Sequence, residues 1–586
     1  LNARLTYEWA KQRDPSRPWH YEGSSANRGA NFDINSFMYP PPARVVEEAA
    51  KLPDKPLLLC EYAHSMGNST GGLKEYWDIF YSGTNAQGAF VWDWVDQSLR
   101  VPVPGEYRVN TPAPHFLAYG GWWEDKSGVR NDNNFNCNGL VSGDRTPHPG
   151  LAAIKYAYRY LHASPVDLAQ GRVRVKNWFQ FLNPRDYAVG QWSVQESGRA
   201  LATGTLPALD IEPGGETEFA LNLPKITPKP GAEYWLNLSF RLKNATRWAP
   251  AGHEIAWEQF ALPWKAGGPK ADFSRSPALK IDEKDGIFVL SSPLIRAIFD
   301  PRAGTFTQYR YQGVLLLERG PLPDFWRAPT DNDLGAWKAM RARIERDPAQ
   351  NWFLWREAAP RMTITEAKLE RIDERTARVA VKAGLYGMGG ATAAWTFTIY
   401  GNGEILVEMS YEPGEEKRAM MPRFGSELVL ARGFNNWAWY GRGPAETHID
   451  RQFERIGVYL STVEKEWVEY SRPQENGNKT GVRWTAWTNP QGVGLLAVGA
   501  PELSVSARRF PKEDMERAAY SFQMQPQGPI YVNLDWKQMG VGGIDSWSPN
   551  ALPMPAYRID SSQPMSYRYR LVPVAGPYEA KTREVF

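Results

Sequence analysis

The chain has 586 residues, with 68 Lys and Arg against 65 Asp and Glu and a formal net charge of +3. A single hydrophobic core stops growing at about 250–300 residues, so several domains are expected. Interleaved charges give no nucleic-acid footprint, no window reaches the ~18 consecutive apolar residues of a membrane span, and two cysteines, Cys60 and Cys137, exclude a disulfide framework and argue against a cysteine-based zinc site.

Residues 1–160 alternate helix and strand signals. Leu1, Leu5 and Trp9 share one helix face, which stops before Asp14-Pro15. "PWHYEG" (Pro18 to Gly23) reads as a short strand and "INSFMYP" (Ile34 to Pro40) as another. "ARVVEEAAKL" is helical and "PLLLCEY" a strand. Leu73, Tyr76, Trp77 and Phe80 recur at helical spacing, and "GAFVWDW" (Gly88 to Trp94) is a further strand. This alternation predicts parallel strands with crossover helices, the strands buried on both faces. Four strands end in polar or aromatic pairs: Tyr21-Glu22, Met38-Tyr39, Glu61-Tyr62 and Asp93-Trp94. In parallel α/β folds ligands bind at those carboxyl ends.

From Leu161 the pattern becomes two-residue alternation, as at Val173, Val175, Asn177 and Phe179 and at Leu236, Leu238, Phe240 and Leu242. A linker, "LPWKAGGPKADFSRSP" (Leu262 to Pro277), precedes a second all-β region, a large sandwich or two packed sheets. There Asn402-Gly403 predicts a hairpin turn. The division expected is 1–160, 161–265 and 276–586.

Glu61 ends the apolar run "LLLC". From position alone it suits a nucleophile, a metal ligand, a general acid or a structural ion pair. His64, Asn68 and nearby glycines form a tight loop after it. "VWDWVDQS" offers two aromatics and two acids at a strand end, either a ligand clamp or a packed lip. "RNDNNFNCNGL" offers neutral amide oxygens for hard cations or sugar hydroxyls, or an Asx-turn surface loop. "QMGVGGIDSWSP" is a loop suited to reach a distant site. Most of the 25 tryptophans pack cores, while several suit the apolar face of a sugar ring.

In chain order, "CEYAHSMGNS", "GAFVWDWVDQS", "FNCNGLVSGDRTPHP", "RAPTDNDLG", "YGRGPAET", "PQENGNKTG" and "GGIDSWSP" resemble the β-galactosidases of glycoside hydrolase family 2, over essentially the whole chain. The resemblance implies the C-terminal half of a (β/α)8 TIM barrel, then an immunoglobulin-like β-sandwich, then a large β-sandwich of the small-chain type. It implies retaining hydrolysis of terminal β-D-galactose from galactosides such as lactose, through a covalent galactosyl-enzyme on Glu61. Tyr39, Tyr62, His64, Trp92, Asn138 and Trp547 are then expected to line the sugar site. The Phe135 carbonyl and Asn138 are expected to bind Na+. Asn131 is expected at a Mg2+ site whose other ligands lie mostly upstream. Gly335 is expected as the hinge of a mobile loop, and Lys338 stands where the family has an acid, which puts a role there in doubt. The family's acid/base glutamate is placed just ahead of Leu1, so the chain is expected to be a fragment, inactive alone. The full-length protein is expected to be a homo-oligomer, dimer or tetramer, in a bacterial cytoplasm or periplasm, leaning to the cytoplasm. Two other readings stay open: a non-catalytic carbohydrate-binding remnant, and a family 2 glycosidase for another sugar.

Overall fold

The computed structural model describes residues 2–22, 32–83 and 85–584. Its first part is helix α1 (Asn2–Arg13), strand β1 (Asn35–Met38), helix α2 (Pro42–Lys51), strand β2 (Leu57–Tyr62), helix α3 (Leu73–Phe80) and strand β3 (Ala86–Val91). The three strands form a parallel sheet in the order β1-β2-β3, with Asn35 opposite Leu57 and Leu57 opposite Ala86. Leu57 and Leu59 are fully buried, each such side chain contributing about 1.5–3 kcal/mol on transfer from water. Val45 and Ala49 on α2, and Leu73, Tyr76 and Phe80 on α3, are the buried helix positions. They meet Ile154 and Ala157 of the helix Pro149–Ala157 in one core beneath the sheet.

Two expectations are corrected here, on "PWHYEG" and on the strand that follows Gly88. "PWHYEG" is not a strand: only His20 bridges to Ile34, because Pro18 has no amide proton and the Asp33 carboxylate captures the Trp19 amide at 2.6 Å; Gly23 lies outside the described residues. Helix α1 forms as expected, with Leu5 48% and Trp9 64% exposed among the described residues; Leu1 lies outside them. The helix is tied by polar contacts, Tyr7 and Lys11 to Asp33. Strand β3 leaves the ladder at Val91 and is not buried on both faces, Phe90 being 62% exposed.

Next come a four-stranded sheet (Ala188–Glu196, Arg199–Thr205, Tyr234–Leu242, Glu254–Ala261) and a three-stranded one (Leu161–Asp167, Arg172–Asn177, Glu216–Ala220), closed on a common core of Val173, Val175, Trp192, Leu236 and Phe240. After an irregular stretch the chain builds one antiparallel sheet of 16 strands among the described residues. Two separate sheets are not seen. The strand Val493–Arg508 pairs with Lys479–Thr488, Ile530–Gln538 and Met565–Ala575, so hydrogen bonding runs on unbroken as the sheet curls over its core. The Asn402-Gly403 hairpin forms, with Ile399 opposite Ile405 and Gly403 at φ +96°. No described helix is long and apolar enough to cross a membrane.

Candidate active site

Strand β2 carries Glu61, half-buried, to the carboxyl end of the parallel sheet. Its backbone carbonyl accepts from Tyr39 N at 2.9 Å, just past the end of β1. Tyr39 holds a left-handed backbone, φ +47°, and Ala63, on the other side of Glu61, another at +49°. Such conformations persist only where surroundings over-determine them. Burial, and next the neighbouring Glu61 carboxylate, raise the pKa of the Tyr39 hydroxyl, which therefore stays protonated.

Around this pair the structure gathers residues far apart in sequence. The Trp547 ring, 44% exposed, meets Tyr39 edge-on at 4.8 Å and His64 at 5.1 Å. Phe135 lies 5.3 Å from His64 and 5.7 Å from Trp547. His64 Nδ1 lies 2.7 Å from Ser546 Oγ, which donates to Asn332 Oδ1 at 2.6 Å. Asn138 sits between Trp92 and His64. In one orientation its amide oxygen accepts from Trp92 Nε1 at 3.2 Å; in the other its amide nitrogen is 3.2 Å from His64 Nε2 and 3.3 Å from the Phe135 carbonyl.

Burial pushes the His64 imidazole down from its ordinary 6.5 to about 4. As pH falls, the unfolded chain takes this proton near 6.5 but the folded protein only near 4. The stability held above the first value is therefore lost progressively down to the second. We expect His64→Gln to flatten the pH dependence of the urea midpoint across that window; a slope equal to wild type would contradict this.

The loop after Glu61 is held by loops that connect strands of the 16-stranded sheet. Asn68 N donates to Gln474 Oε1 at 3.0 Å and Asn68 Nδ2 to the Glu475 carbonyl at 2.7 Å. Arg451 donates to Asn68 Oδ1 at 3.0 Å and to the Ser69 carbonyl. Gly71 N donates to the Gly542 carbonyl at 2.7 Å, and a Cβ at Gly71 would overlap the Asp450 carboxylate. Beneath Arg451, burial alone would raise Glu446, but His448 and Arg451 outweigh it and hold that carboxyl at about 2.

Two expected site residues are placed elsewhere. Tyr62 does not line the pocket. Its side chain is fully buried beneath the sheet, its hydroxyl 3.1 Å from that of Tyr158 and accepting from Trp77 Nε1 at 3.0 Å. Successive residues of a strand face opposite sides, so Glu61 and Tyr62 cannot share a pocket. Gly335 lies not in a loop but one turn into the helix Asp331–Arg346, where a Cβ would overlap the Ser546 carbonyl; close approach is what requires glycine there. Ser546 and Asn332 were not singled out from sequence, although both lie inside quoted motifs.

The donor set separates the two cations. The Phe135 carbonyl, the Asn138 amide oxygen in the orientation that accepts from Trp92, and the buried, unpartnered Asn136 Oδ1 are neutral oxygens close in sequence, a fit for a monovalent ion. Asn131 does not by itself fit magnesium: it is exposed, and its side-chain oxygen already accepts from Asn133 N at 2.8 Å. No cluster of three His, Cys, Asp or Glu suited to a metal occurs among the described residues. A cavity of about 1090 Å³ opens elsewhere, lined by residues such as Tyr158, Phe179, Trp248 and Trp467. It does not include Glu61 or any residue of the parallel sheet.

Three family models match in order: "Glycosyl hydrolases family 2, TIM barrel domain" over residues 1–163, "Beta-galactosidase, domain 4" over 173–263 and "Beta galactosidase small chain" over 291–571. A β-galactosidase of Priestia megaterium is 34% identical over 577 residues, covering 98% of this chain and 53% of that protein. One of Vibrio vulnificus is 33% identical over 578 residues, covering 94% and 53%. The chain spans about half the length of the curated relatives it matches.

Proposed function

Because the chain belongs to glycoside hydrolase family 2, in its β-galactosidase branch, we propose that it carries the nucleophile half of a retaining β-galactosidase. The carrying observation is Glu61 at the mouth of β2, its backbone carbonyl held by the Tyr39 amide and its carboxylate beside the protonated Tyr39 hydroxyl. Glu61 attacks the anomeric carbon of a terminal β-galactoside and forms a galactosyl ester, which water then hydrolyses. Retaining enzymes set a second carboxyl about 5–5.5 Å from the first, to protonate the leaving oxygen and then deprotonate that water. No Gly-Asn-Glu segment occurs in the 586 residues, and the relatives are about twice as long. We assign the acid/base role to residues outside this sequence.

The Tyr39 hydroxyl orients the Glu61 carboxylate and offsets its charge until the ester forms. Trp92 and Trp547 present flat faces to the apolar side of the sugar, and His64 and Asn138 meet its hydroxyls. A sodium ion held by the Phe135 carbonyl and Asn138 would supply a fixed charge for a sugar hydroxyl. Domain borders after residue 160 and between 265 and 276 belong to the same proposal, supported by the separate cores on either side.

The test is a panel of aryl glycosides offered to the complete protein and to the 586-residue chain. We expect the complete protein to cleave β-galactosides first, releasing β-galactose, and the shorter chain to be inert. Turnover by the shorter chain, inversion, or preference for another sugar would overturn the reading.

A further inference from the structure

We propose that Ser546 and Asn332 act as positioning residues that fix the tautomer of His64, placing the ring proton on Nδ1 and leaving Nε2 as a hydrogen-bond acceptor. The argument is proton accounting along one buried chain. Asn332 Nδ2 donates to the Val541 carbonyl at 2.9 Å, which turns Asn332 Oδ1 toward Ser546. That oxygen only accepts, so over a 2.6 Å contact the single Ser546 proton points at Asn332. Ser546 Oγ is then left as an acceptor 2.7 Å from His64 Nδ1, and Nδ1 must donate.

The opposite face of the ring pulls the other way. If Asn138 turns its oxygen to satisfy Trp92, it would take a proton from Nε2 at 3.2 Å as well. Distance and burial decide between the two demands. A contact of 2.6 Å between two oxygens is repulsive without a proton, whereas 3.2 Å is tolerated. Asn332 is fully buried, so orphaning its oxygen disfavours that tautomer by roughly tenfold or more. Trp92 is 38% exposed. Whichever way Asn138 turns, Nδ1 keeps the proton. The neutral ring therefore recognises a donor, such as a sugar hydroxyl. That last consequence rests on the glycosidase reading, but the tautomer does not.

The test is a long-range ¹H–¹⁵N correlation spectrum of the complete protein labelled at histidine, near pH 7. His64→Gln identifies which imidazole is His64. We expect a protonated Nδ1 and an unprotonated Nε2. Ser546→Ala should shift the ring toward the Nε2–H form about tenfold in population, and Ser546→Thr should restore Nδ1–H. A proton on Nε2 in the unmodified protein, or a tautomer unmoved by Ser546→Ala, would overturn the proposal. If Ser546→Ala fails to fold, the unmodified spectrum still decides. No turnover is needed, so this result stands apart from the assignment of the reaction.

Discussion

Replacing Glu61 with Gln in the complete protein is expected to lower kcat for an aryl β-galactoside by about 10⁴-fold or more, the scale on which single nucleophiles fail. Glutamine keeps the shape of the side chain and can still accept from Tyr39. It replaces the anionic carboxylate, whose oxygen makes the bond to the anomeric carbon, with a neutral and weakly nucleophilic amide. The backbone tie, Tyr39 N to the Glu61 carbonyl at 2.9 Å, does not involve the side chain, so the melting temperature should move little. A decrease below about 10²-fold, with the variant folded, would show that another group attacks.

The second large effect is on stability. Arg423 is fully buried and meets three carboxyl groups: Asp324 at 3.2 Å, Glu475 at 2.7 Å and Asp535 at 3.1 Å. Lys512 closes on Asp324 from the other side at 2.6 Å. Arg423→Met removes a central cation and leaves buried acids facing one another. Breaking such a network from one side costs about 3–5 kcal/mol, to be read from the urea midpoint at constant m-value. The same network reaches the loop after Glu61, since the Glu475 carbonyl accepts from Asn68. Activity is therefore expected to fall with stability. A loss under about 1 kcal/mol would mean that the charges are satisfied independently of Arg423.

Local signals fared well where a residue's neighbours in sequence are also its neighbours in space. "LLLCEY" forms β2 because an unbroken apolar run suits a buried parallel strand, and Leu73, Tyr76 and Phe80 mark the buried face of α3. The Asn402-Gly403 turn forms because its glycine takes a positive φ. The misses have physical causes. Tyr62 adjoins Glu61 in sequence, and strand alternation places it on the opposite side. The 16-stranded sheet depends on Val493–Arg508 pairing with three partners, and no local pattern encodes that.

The site also depends on long-range contacts. His64 and Ser546 lie 482 residues apart, and Asn68 and Glu475 lie 407 apart. The family resemblance supplied His64, Asn138 and Trp547 as pocket residues. The geometry adds the polar frame that holds them: Asn332, Ser546, Gln474 and Arg451. The large sheet thus contributes to the site by fixing the loop and the histidine beside Glu61.

The most direct measurement is to trap the intermediate. In a 2-deoxy-2-fluoro-β-galactosyl fluoride the ring fluorine slows both formation and hydrolysis of the glycosyl ester, and the good leaving group restores only its formation. Treated with it, the complete protein should lose activity with one sugar bound per active site. Peptide mass spectrometry should then place that sugar on Glu61. A label on any other carboxylate, or undiminished turnover without a label, would contradict the assignment of Glu61 as the nucleophile.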